Sequence, residues 1–96
     1  MWVLVTYDVR TDDAAGRRRL RRVAKACEAY GHRVQKSVFE CQVDDATWAL
    51  LRGRLLKEYD VASDSLRFYF LGENGPARME HHGINPSLDM EGPLVL

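Results

Sequence analysis

No run of apolar residues in this chain is long enough to cross a membrane. The opening MWVLVTYDV has no basic segment ahead of it and reaches Asp8 before a signal-peptide core could form. A cytoplasmic protein is expected. Cysteine is scarce, and Cys27 and Cys41 stand apart without CxxC spacing. That argues against a disulfide framework and a zinc knuckle, and both read as small buried residues. There is no low-complexity tract, and no glycine-rich phosphate loop of the P-loop or dinucleotide type; GENG at 72–75 is turn chemistry. Ser37 has no evident His and Asp partners for a hydrolytic triad. His81 and His82 lack a Cys or carboxylate at ligand spacing, and neighbours on a strand point to opposite faces, so a metal reading gains nothing from them.

Net charge is absent too, at +0, but the average hides a segregation. Residues 10–36 hold nine Lys or Arg against three acids, and residues 37–96 hold five against ten. Such asymmetry suits an anionic partner for the first half, the plain alternative being a solvated helix face. At 96 residues, 46% hydrophobic and 29% charged, the chain fits one folded domain whose core is only just sufficient, so oligomerisation would help it.

Trp2 to Val9 reads as a strand, apolar on both faces and so covered on two sides. Thr11, Asp12 and Asp13 are N-cap candidates for a helix over 14–30 that Gly31 stops. Leu20, Val23, Ala24 and Cys27 form its buried stripe, which gathers Arg18, Arg21, Arg22 and Lys25 on the opposite side. A second strand is expected over 32–43. A second helix follows, capped by Asp44 or Asp45 and running to about Tyr59 on Trp48, Leu51 and Leu55. A third strand covers 65–71, with Leu66, Phe68 and Phe70 on its apolar face, and a short edge strand is expected over 77–82. The expected class is α+β: a ferredoxin-like βαββαβ domain over 1–82 with an antiparallel sheet, then an extension over 83–96. Its tail Leu94-Val95-Leu96 is read as a strand that joins a partner subunit. Both helices cover one sheet face, so the other is expected to bury itself against a second copy in a homodimer.

Asp8 ends the first strand. By itself such a residue most often fixes a turn. A two-fold axis would instead bring two Asp8 carboxylates together, where they repel unless a hard cation such as Mg2+ or Mn2+ lies between them. Such an ion activates water or steadies a phosphate. Arginine's planar fork suits phosphates, so several on one helix favour a polyanion over a small acid.

In order and spacing, "YDV", "GRRRLRRVAK", "YG" at 30–31 and above all "VQKSVFE" at 34–40 resemble the Cas-two family, the small CRISPR-associated proteins of spacer acquisition. The resemblance runs from about Trp2 to Phe70 and continues loosely to the closing "PLVL". It implies a ferredoxin-like homodimer, with metal-dependent nuclease activity on single-stranded RNA or duplex DNA. It also implies a bridge between two dimers of the Cas-one integrase. It puts the metal ligand and catalytic carboxylate at Asp8, and it links Arg33 and Phe39 to nucleic-acid handling or the dimer centre. Arg17, Arg18, Arg21 and Arg22 carry over only as a nucleic-acid-binding face. The chain departs from the family at Lys36, where an aromatic or apolar residue is usual. Two hypotheses stand: an Asp8-dependent endonuclease, or a non-catalytic DNA-binding scaffold. One acid per subunit with no His or Lys base is thin equipment for the first.

Overall fold

Two aspartates set where the helices begin. Asp13 accepts a hydrogen bond from the Gly16 amide at 2.7 Å, and Asp44 accepts one from Thr47 at the same distance, each satisfying a donor that the first helical turn leaves orphaned. In the computed structural model, which describes residues 1–72 and 78–84, these caps open α1 (Ala14–Tyr30) and α2 (Asp45–Glu58). Around them run β1 (Trp2–Asp8), β2 (His32–Gln35), β3 (Val38–Gln42), β4 (Ser65–Leu71) and β5 (Arg78–Gly83). The order is βαββαβ with one further strand, the expected ferredoxin-like α+β class.

All pairings are antiparallel, and the sheet order is β2-β3-β1-β4-β5. Alternation sends Val3, Val5 and Tyr7 of β1 to the helix side. There they join Phe39, Cys41, Leu66 and Phe68 in a core closed by Val23 and Cys27 of α1 and by Trp48, Leu51 and Leu55 of α2. Trp48 meets Phe68 edge-on at 4.9 Å and Phe70 at 5.6 Å, a favoured aromatic geometry. The predicted apolar stripes of both helices are the faces that are buried.

One expectation is corrected. The single strand predicted over 32–43 is a hairpin, β2 and β3, turning at Lys36-Ser37. No Gly, Pro or Asn marks that turn. Tyr7 holds it from outside, its amide donating to the Ser37 carbonyl at 3.1 Å and its Oη to the Lys36 carbonyl at 3.4 Å, while Arg33 Nη1 of the hairpin itself donates to the Lys36 carbonyl at 2.6 Å. A local signal could not reveal contacts made across the fold. The edge strand appears as β5, while the extension expected over 83–96 begins with Gly83 at the end of that strand and, beyond Ile84, lies outside the described residues, including the tail at 94–96. Among the described residues, no helix is long and apolar enough to cross a membrane.

Among the described residues, no helix lies on the other face of the sheet. Trp2, Leu71 and Met79, at 44, 47 and 49% exposure, gather there at one end with Leu4 and Tyr69.

Gly83 has φ +96°, and a Cβ there would overlap the Asp64 carbonyl oxygen, whereas Gly53 on α2 has open space around it. Gly83→Ala is expected to lower the unfolding free energy by more than about 1 kcal/mol. Gly53→Ala should raise it by up to about 1 kcal/mol. Urea midpoints of the two variants check both signs.

Candidate nucleic-acid and metal site

β1 delivers Asp8 to the helix-free side of the sheet, directly opposite Ser65 of β4. Its carboxylate is exposed and takes no hydrogen bond or ion pair among the described residues. The loop that follows is fixed by a different aspartate. Asp64, with 0% exposure, accepts the Arg10 amide at 3.1 Å, the Asp60 amide at 2.9 Å, and Arg19 Nε and Nη2 at 2.8 and 3.3 Å. Burial on its own would raise the Asp64 pKa. The Arg19 guanidinium and the two amides outweigh it and hold the carboxyl below its ordinary value. Sequence reasoning missed Asp64 and Arg19, since nothing local distinguishes an aspartate that caps a distant loop. Asp8 is thereby left free of the turn-fixing role.

On the helix side, Tyr7 stacks on Phe39 with ring centroids 6.2 Å apart, and the Arg33 guanidinium lies 4.8 Å over the Phe39 ring. Burial pushes the Tyr7 hydroxyl up to about 12, so it stays protonated. Arg33 also pairs with Glu28 at 3.2 Å. Arg33 and Phe39 are therefore neighbours. The Phe39 ring, however, is wholly buried in the core of its own chain and points away from the helix-free face.

Arg17, Arg18, Arg21, Arg22 and Lys25 are exposed on α1, a continuous basic face as the periodicity predicts. Arg22 lies 3.7 Å from Glu58, and Arg17 donates to the Thr11 carbonyl at 3.4 Å. Arg18, Arg21 and Lys25 have no ion pair among the described residues. The sheet stands between this face and the side on which Asp8 emerges.

Among the described residues no three His, Cys, Asp or Glu side chains converge as metal ligands. Asp8, an unengaged carboxylate opposite Ser65, offers oxygen donors of the kind a hard cation takes, but it is a single ligand. The histidines diverge as their adjacency predicts: His82 sits 5.8 Å from Phe68 on the helix side, and His81 lies on the helix-free side. Both cysteines are buried, and burial pushes their thiols up to about 12 for Cys27 and about 11 for Cys41, too high for ready thiolate chemistry.

Residues 1–79 match the family model described as CRISPR associated protein Cas2. The chain is 62% identical over 96 residues to the CRISPR-associated endoribonuclease Cas2 of Chlorobaculum tepidum, covering all of both chains. It is 52% identical over 95 residues to the CRISPR-associated endonuclease Cas2 of Halalkalibacterium halodurans, covering 99% of each. Among solved structures, Streptococcus pyogenes Cas2 at pH 6.5 is similar with a TM-score of 0.70 and 57% identity, over 77% of this chain and 89% of that one.

The depressed Asp64 carboxyl gives stability that is complete above its unfolded pKa, about 4. That stability is lost as pH falls below this value and through the lower folded one. Asp64→Asn is expected to start less stable at pH 7 and to lose less stability than the wild type between pH 5 and 2, measured by denaturant midpoints. Asp64→Ala should lower the melting temperature by roughly 10 °C or more, because it strands the Arg19 charge.

Proposed function

This chain belongs to the CRISPR-associated Cas2 family, and from that premise we propose that it is a homodimeric nucleic-acid-binding subunit of spacer acquisition. In this reading it works in the cytoplasm, bridges dimers of the Cas-one integrase, and cleaves phosphodiesters as a metal-dependent endonuclease. The observation that carries the proposal is Asp8: exposed, free of internal partners among the described residues, and set on a sheet face that no helix covers.

Trp2, Leu71 and Met79 give that face an apolar end suited to burial against a second copy. Pairing the faces about a two-fold axis would bring the two Asp8 carboxylates together, and these would hold the hard cation, Mg2+ or Mn2+. When bound, such an ion supplies activated water and charge stabilisation at phosphate. The chain's own residues then hold and orient. Asp8 supplies oxygen donors without first breaking an internal bond. The Asp64 network fixes the loop two residues beyond it through the Arg10 amide. Arg17, Arg18, Arg21 and Arg22 grip the backbone of duplex DNA or single-stranded RNA, which positions the strand without reading its sequence. Arg33, braced on Phe39 and Glu28, adds a cation near the same strand end. Residues 1–82 form the folding unit in this proposal, and residues 83–96 reach the partner subunit's sheet.

A second reading, a scaffold that binds DNA and performs no chemistry, is favoured by the absence of any converging metal-ligand cluster among the described residues.

Asp8→Ala is expected to leave the dimer mass unchanged and to cut hydrolysis of both single-stranded RNA and duplex DNA by at least about a hundredfold, as EDTA should for the wild type. Equal cleavage with EDTA or with Asp8→Ala would remove the endonuclease and leave the scaffold. Replacing Arg18, Arg21 and Arg22 with Gln should weaken DNA binding and flatten its dependence on salt, by about one unit of log-log slope for each phosphate no longer neutralised. Titrations at several salt concentrations measure this.

A further inference from the structure

The cross-strand register of the helix-free face divides it into two chemically distinct ends. On β1, β4 and β5, Trp2, Leu4, Tyr69, Leu71 and Met79 make an apolar end, and Asp8, Thr6, Ser65, Arg67 and His81 make a polar one; on β3 the same face carries Gln42 beside Trp2, Glu40 beside Leu4 and Val38 beside Thr6. Asp8 lies opposite Ser65, and in the next row Thr6 lies opposite Arg67, which lies opposite His81. Arg67 is therefore the diagonal neighbour of Asp8 on the same face. At that offset Cα atoms stand about 7–8 Å apart, within the sweep of an arginine side chain.

Arg67 is half-buried, yet among the described residues it enters no ion pair and makes no side-chain hydrogen bond. Every other half-buried arginine among them has a carboxylate within hydrogen-bond reach: Arg19 has Asp64 at 2.8 Å, and Arg52 has Glu80 at 2.6 Å. Beside Arg67, His81 Nε2 lies 2.9 Å from the Ile84 carbonyl oxygen. A carbonyl only accepts, so Nε2 carries the proton, and Nδ1 has no partner among the described residues. Covering this face with a second copy would take a lone guanidinium out of water, at a large cost unless an anion meets it.

We propose that Arg67, flanked by Thr6 and His81, is a phosphate-binding residue that holds a backbone phosphate of the nucleic-acid strand presented to Asp8. The inference rests on the reading of Asp8 as the reactive centre and adds a substrate contact that neither the basic face of α1 nor Arg33 supplies, since α1 lies beyond the sheet. Arginine suits the role because its fork offers parallel donors to two phosphate oxygens. With Asp8 holding the cation side and Arg67 one row away, a strand would be gripped on both sides of the bond to be broken.

The test uses the full chain carrying Asp8→Ala, so that binding is read without cleavage, with a single-stranded RNA oligonucleotide and a short DNA duplex as probes. Adding Arg67→Gln should weaken binding of at least one probe about tenfold. It should also reduce the log-log salt slope by about one, the signature of a single phosphate left without its cation. Arg67→Lys should recover part of the affinity, and the dimer mass should not change. With Asp8 intact, Arg67→Gln should raise KM more than it lowers kcat. Unchanged affinity for both probes overturns the proposal. So does a loss of affinity that tracks dissociation of the dimer, which would assign Arg67 to a carboxylate of the second copy. If Asp8→Ala alone leaves cleavage intact, the nuclease reading fails, while the binding comparison still decides the role of Arg67.

Discussion

A carboxylate shut off from water has to find its donors within the protein, and Asp64 finds them in three separate places. The Arg10 amide belongs to the loop after β1, Arg19 to the second turn of α1, and the Asp60 amide to the connection between α2 and β4. The Asp64 main-chain oxygen adds a fourth tie, accepting the Ile84 amide at 2.9 Å just beyond β5. The end of the sheet from which Asp8 projects is thus organised around one buried charge. Hydrophobic burial holds α1 and α2 against the sheet without fixing their slide along it. A geometrically specific ion pair can supply that register.

That arrangement separates two kinds of work. The helix side of the sheet is closed, with apolar side chains in the centre and ion pairs at the rim. The other side carries no helix among the described residues, and along β1, β4 and β5 it is apolar at one end and polar at the other. The charged groups therefore lie in two layers: arginines on the outer surface of α1, and Asp8 and Arg67 on the other face of the sheet. A polyanion long enough to engage both must pass around the end of the sheet where β1 leads into α1.

Much of this was legible in the residues. Period-3.6 stripes located α1 and α2, and their capping aspartates stand immediately before helical runs, so both boundaries and the basic face follow from local chemistry. Alternation located β1 and β4. What escaped was whatever depended on distant partners. The turn at Lys36-Ser37 is built by Tyr7 and Arg33, and Asp64 looks in sequence like any loop aspartate. Phe39 was singled out only by the family resemblance, and its burial became visible only once β3 had a register. Arg67 was hidden because its significance is diagonal: only the pairing of β1 with β4 places it beside Asp8.

The hairpin between β2 and β3 is gripped entirely by its main chain, through the carbonyls of Lys36 and Ser37. The side chain at position 36 thus has no architectural duty. An aromatic, an aliphatic or a lysine can occupy it while the loop keeps its course. Position 36 is therefore one at which the protein can retune its surface, from greasy to cationic, without renegotiating its fold.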